Sequence, residues 1–335
     1  MNYKNIITII LFSLFASIAY YFNWFIWILS FVVSIWFYTI IFYSFHIIWK
    51  KLTKKEITDL YEYCKSFLFR LWLFIFITSW IIGSWAYLSN EVFKAEMPEY
   101  TISNWEKVVK FQAMVHIWSE SFYKNVQNNL KKFKEEWWVY FFEWVRQWSE
   151  ESMDKFNQAL WMNFDEDLYK NVSKLYWVQY QNTNDFLWIV NDLDFNIDLS
   201  IDEIINIYDE RIDSQNKSNN SSEVIDANKQ IIELLSQLNE KELKLLVYIN
   251  QAILNTIIWN EDIQSQLSKS IWKQDIFNVI IDDRDLHLAK EVNNSEYEKI
   301  YITYWLLHFK WFFNKLKDMD ENWEIIEIKN LYPID

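Results

Sequence analysis

VVKFQAMVHIWSESFYKNVQNNLKKFKEEWWVYFFEWV, residues 108–145, decides how this chain folds. The apolar run VVKFQAMV predicts a strand, the helical spacing of apolar residues from about Ser119 to Glu136 an amphipathic helix, and WVYFFE a second strand. The same order returns at 298–329, EKIYITYWLLHFKWFFNKLKDMDENWEIIEIK: strand, turn, helix over about Phe309 to Asp318, strand. Each unit sets one histidine, His116 or His308, just past the end of its first strand. Two such units in one sheet bring the histidines together, because ligand sites in open α/β sheets form outside the carboxyl ends of strands. Between the units, residues 150–270 are expected to be largely helical, with periodic apolar positions in IDEIINIYDE and in 224–254. The run SQNKSNNSS, 214–222, predicts a polar linker or loop. The expected fold class is α/β: a mixed sheet built from two similar strand-His-helix-strand units with a helical middle insertion, preceded by transmembrane helices.

Those helices are expected within residues 1–89, which hold apolar runs at about 6–22, 25–48 and 67–88, each long enough to cross about 30 Å of hydrocarbon. A second run follows the first almost at once, which argues against a removed signal peptide. Lys50, Lys51, Lys54, Lys55 and Lys65 crowd the connection between the second and third runs, which predicts that side to be cytoplasmic. A multi-pass protein of the cell membrane follows, with residues 90–335 forming an extracytoplasmic domain. The net charge is −14, and seven basic against three acidic residues give the first 89 positions +4, leaving −18 on the rest. Such acidity opposes nucleic acid and anionic lipid as partners of the outer domain, since both reward basic patches. The single cysteine, Cys64, is placed by this reading in the cytoplasmic connection, so the outer domain has no disulfide.

Composition sets a second constraint. Glycine runs at about 7% in ordinary proteins, or roughly 23 in a chain this long; here there are 1 glycine and 21 tryptophans. The near-equality implies that most tryptophan letters stand for glycine, as when a TGA codon that a cell reads as glycine is translated as tryptophan. Local chemistry agrees. Trp137 follows a helical run and precedes a strand, where a helix usually needs a residue at positive φ. Trp148, Trp161 and Trp177 punctuate amphipathic runs as glycine does. Glycine is expected at 118, 137, 144, 305 and 311, whereas Trp138 and Trp323, at strand starts, are expected to be genuine. The rival is an aromatic-rich surface that binds glycans or lipids.

Of four histidines, His46 lies in an apolar run, leaving His116, His287 and His308 for the outer domain. Glu143 ends the strand after the first helix and is expected at the same sheet edge as His116. A carboxylate with two imidazoles suits a divalent metal with open positions for water, although hydrogen-bonded polar residues at strand ends would show the same spacing. Arg284 could stabilise an oxyanion or bind a carboxylate; an ion pair with Asp282, Asp283 or a core carboxylate is its structural alternative. His287 is expected at the surface or behind the site, Asp282 and Asp283 as helix caps, and Asp192, Asp194 and Asp198 in turn and cap duty.

With glycine in place of tryptophan, YWLLHFKWFF becomes a G-x-x-H motif at 305–308, and FFEWV becomes FFEGV. The chain then resembles the TraB/GumN/TIKI superfamily over about residues 108–330. The resemblance places the family's first histidine on His116, its glutamate on Glu143, its second histidine on His308, and the arginine of its Arg-Asn segment on Arg284. Ala113 stands where the first motif usually has glycine, and Asp285 replaces the asparagine. The resemblance implies a metal-dependent hydrolase acting on a peptide or protein, with His116, His308 and Glu143 holding manganese, cobalt or zinc and Glu143 and Arg284 assisting chemistry. The alternative is a non-catalytic peptide-binding or signalling-inhibitor protein of the same fold.

Overall fold

The computed structural model describes residues 3–22, 24–143, 146, 148–160, 163, 166–182, 184–214, 225–260, 262–264, 266, 276 and 278–331. Most of the polar run 214–222, and Trp144 and Trp161, lie outside the described residues. The chain forms two compact units, one of Met1–Leu88 with Glu240–Glu242, the other of Ser89–Asn239 with Leu243–Asp335.

The first unit contains helices Tyr3–Tyr21, Phe25–Leu52 and Leu60–Tyr87. The edges of Phe12 and Phe15 pack against Trp72, fastening the first helix to the third. The third helix begins at Leu60 because the Asp59 carboxylate accepts from the Tyr61 N–H at 3.0 Å, a side-chain cap. Cys64 therefore sits inside this helix, not in a connection. Among the described residues one helix, Leu60–Val92, is long and apolar enough to cross a membrane, with mean hydropathy 1.8 and only 6% of its apolar window buried. Ile6–Tyr21 is a shorter apolar helix, below the roughly 20 residues a span requires. The helix Phe25–Leu52 includes side chains at 25–29, 31, 32 and 36 that lie outside the described set. Among the described residues the structure thus supports one crossing helix, where the sequence leads us to expect three.

The second unit is mixed α/β. Strands β1 (Met97–Ser103), β2 (Val108–Met114), β4 (Val139–Phe142), β6 (Phe195–Asn196), β7 (Lys299–Trp305) and β8 (Glu324–Leu331) form one sheet in the order β6-β4-β7-β2-β1-β8. Strands β3 (Ile117–Trp118) and β5 (Gln179–Tyr180) make a separate antiparallel pair. The centre β6-β4-β7-β2 is parallel throughout, while β1 runs antiparallel to both β2 and β8. All of β4 is buried, as are Ile300–Tyr304 of β7. This is the continuous apolar pattern of parallel strands covered on both faces.

Both sequence units form as expected: β2, helix Glu120–Glu135, β4; and β7, helix Phe309–Met319, β8. Their crossovers diverge. The first skips over β7 towards β6, and the second skips β2 and β1 to reach the opposite edge. The helix Glu120–Glu135 starts where the Ser119 hydroxyl accepts from the Phe122 N–H, and it buries Phe122, Val126, Leu130 and Phe133 against the sheet. Helices Glu150–Leu160 and Ile201–Ser214 carry a second apolar cluster around Phe156, Ile205 and Ile280.

Candidate functional site

Four neighbouring parallel strands deliver four acidic or basic groups to one sheet edge. Asp198 follows β6, Glu143 follows β4, His308 follows β7 by three residues, and His116 follows β2 by two. Met114 of β2 is level with Trp305 of β7, and Phe142 of β4 is level with Thr303, so all four strands end together. The expectation that the two units bring their histidines to a common edge is met by this register.

Arg284 ties the edge together. It begins the helix Arg284–Asn294, directly after a π-helical turn at Val279–Asp283, an irregularity frequent at functional sites. Its guanidinium grips Asp198 with a fork, Nε to Oδ1 at 2.7 Å and Nη2 to Oδ2 at 2.8 Å, and Nη2 also donates to Glu143 Oε1 at 2.5 Å. The Tyr304 hydroxyl adds a bond to Asp198 Oδ1 at 3.2 Å, and the Trp305 backbone N–H donates to Glu143 Oε2 at 2.9 Å. Burial alone would push the Glu143 carboxyl up, but Arg284, His308, His116 and the Trp305 N–H outweigh it and bring it down to about 2. Burial would lower Arg284, and Asp198, Tyr304 and Glu143 instead hold it well above its ordinary value.

The two histidines sit differently. His308 is fully buried, and its Nδ1 lies 2.7 Å from Asp285 Oδ1. With the ring neutral and Asp285 ionised, that contact places the proton on Nδ1 and leaves Nε2 as an acceptor. Among the described residues Nε2 is buried without a hydrogen-bond partner, as is the second oxygen of Asp285. His116 is only half-buried. Its ring packs on Tyr169 at 4.5 Å and lies 6.0 Å from the Trp305 indole, which is 5.8 Å from the His308 ring. Burial pushes the His116 imidazole down, against the pull of Glu143. Asp285, noted in the sequence only as a departure from asparagine, is the residue that orients His308.

In donor chemistry two imidazoles suit a divalent metal, and the orphaned Nε2 of His308 is the atom such an ion would satisfy. Glu143 accepts one hydrogen bond at each oxygen, from Arg284 and from the 305 N–H, which leaves each oxygen a further lone pair. Among the described residues no three His, Cys, Asp or Glu side chains are grouped to hold a metal.

Other expectations are revised. Asp198 is a buried partner of Arg284, not a turn residue; nothing in FNIDLS announced this, because β6 has only two residues and the contact spans 86 positions. Asp194 does serve its turn, accepting from the Asn191 N–H, and also receives the Tyr140 N–H. Asp283 makes no side-chain cap; it pairs with Arg211 at 2.6 Å. His287 is half-buried on the helix Arg284–Asn294. The Trp118 side chain is buried in the core, and its indole N–H has no hydrogen-bond partner among the described residues, so the expectation of glycine there stands as it was. Comparison with family models, curated proteins and solved structures finds no match to this chain.

Proposed function

We propose that this protein is a membrane-anchored hydrolase of the TraB/TIKI kind that cleaves peptides at the edge where β2, β4 and β7 end. One observation carries the reading. Two histidines from separate strands, one with its tautomer fixed by a buried carboxylate and its Nε2 unpaired, converge beside a glutamate and an arginine. His308 accepts a proton at Nε2 while Asp285 holds Nδ1–H, the arrangement by which a carboxylate keeps an imidazole in a productive tautomer. Glu143, held at about 2, is too acidic to act as a base near neutrality; it supplies fixed negative charge, and Arg284 fixes its position. A divalent ion bound through His116 and His308 would contribute an acidified water and a polarised carbonyl. The helix Leu60–Val92 is the anchor. The lysine-rich segment at 50–65 supports a cytoplasmic side there and an extracytoplasmic hydrolase.

A non-catalytic peptide binder of the same fold is the second reading, favoured by the ion pair and backbone bond that hold Glu143 in place. Incubating the purified full chain with a peptide library and reading products by mass separates the two. New peptide termini that disappear in both H116A and H308A support hydrolysis. Peptides recovered intact, bound by the parent and lost from both variants, would replace it with the binding reading.

A further inference from the structure

Among the described residues, four that are not glycine have positive φ: Lys54 at 52°, Trp105 at 75°, Trp137 at 65° and Trp177 at 52°. Tryptophan fills 21 of 335 positions yet takes three of these four. Each stands where the backbone, not the side chain, is needed. After the helix Glu120–Glu135, Trp138 N–H bonds Phe133 O and Trp137 N–H bonds Lys134 O. After the helix Glu166–Tyr176, Val178 N–H bonds Ser173 O and Trp177 N–H bonds Lys174 O. These are two Schellman endings, with residues 137 and 177 at the left-handed position that glycine ordinarily fills. Trp105 turns the β1–β2 hairpin, where Asn104 Oδ1 accepts from Lys107 N–H. The three indoles are 81%, 86% and 64% exposed, so they bury little surface to offset the left-handed strain.

We propose that the chain its cell makes carries glycine at 105, 137 and 177. Peptide mass mapping of the protein from its own cells reads the three residues directly. Glycine at all three is expected; tryptophan at any of them overturns the proposal for that position. In the full chain made with tryptophan, W105G, W137G and W177G should each raise the thermal midpoint by about 2 to 4 °C, whereas W323G, which empties a fully buried position, should lower it. Unchanged or lowered midpoints in W105G, W137G and W177G would overturn the conformational argument.

Discussion

His116 and His308 occupy matching places, each just beyond one of two adjacent parallel strands, yet their surroundings differ sharply. His308 is sealed in, held by Asp285 from a helix start and backed by the Arg284 network. His116 is half open and rests on the faces of Tyr169 and Trp305, with its carbonyl accepting from the Gln181 N–H at 2.7 Å. Similar strand-helix-strand units therefore do not make equivalent histidines. What differs is the segment that arrives from elsewhere: the buried helix Arg284–Asn294 beside one, and the small β3–β5 pair beside the other. The contrast assigns a fixed proton position to His308 and an adaptable contact to His116.

The contrast can be broken most severely at Arg284. R284M should cost about 3 to 5 kcal/mol in urea unfolding, because it strands two buried carboxylates without their cation. A loss under about 1 kcal/mol would show the fork behaving as an exposed pair and would remove the reason for treating the His308 side as rigid. D285N is milder, at about 1 to 3 kcal/mol, since the amide keeps the volume and one hydrogen bond. It should lower peptide release well beyond its effect on folding, and equal activity in the variant and the parent would deny Asp285 its orienting role.

The smallest effect concerns His116 and pH. Its folded value lies below the ordinary 6.5, so folding favours the neutral ring. That contribution is fully present above the ordinary value and is lost as pH falls through the folded one. Thermal midpoints of the parent should therefore decline on acidification from pH 7, and H116Q should flatten that part of the curve. An unchanged slope in H116Q would show that the ring is not desolvated as described.

Much of this site was legible before the fold was known, because its parts belong to local patterns. Strands β2, β4 and β7, the helices after β2 and β7, and the placement of His116, Glu143 and His308 at strand ends all follow from short-range periodicity. Strand β1 was not anticipated. Its alternation is interrupted by Pro98, and its place in the sheet depends on pairing with β8, more than 220 residues later. The same distance hid Asp198: a carboxylate after a two-residue strand looks like any turn residue until the helix carrying Arg284 is packed against it.

The sequence by itself determined the two units, the sheet edge on which their histidines meet, and the excess of tryptophan over glycine, since these depend on neighbours in the chain or on counting. Only the tertiary structure decided which carboxylate holds Arg284, that Glu143 is committed to that arginine, that Asp285 fixes His308, and which tryptophans sit at positive φ. Ion pairs and buried hydrogen bonds depend on the approach of segments far apart in sequence, and no local pattern of side chains encodes those distances.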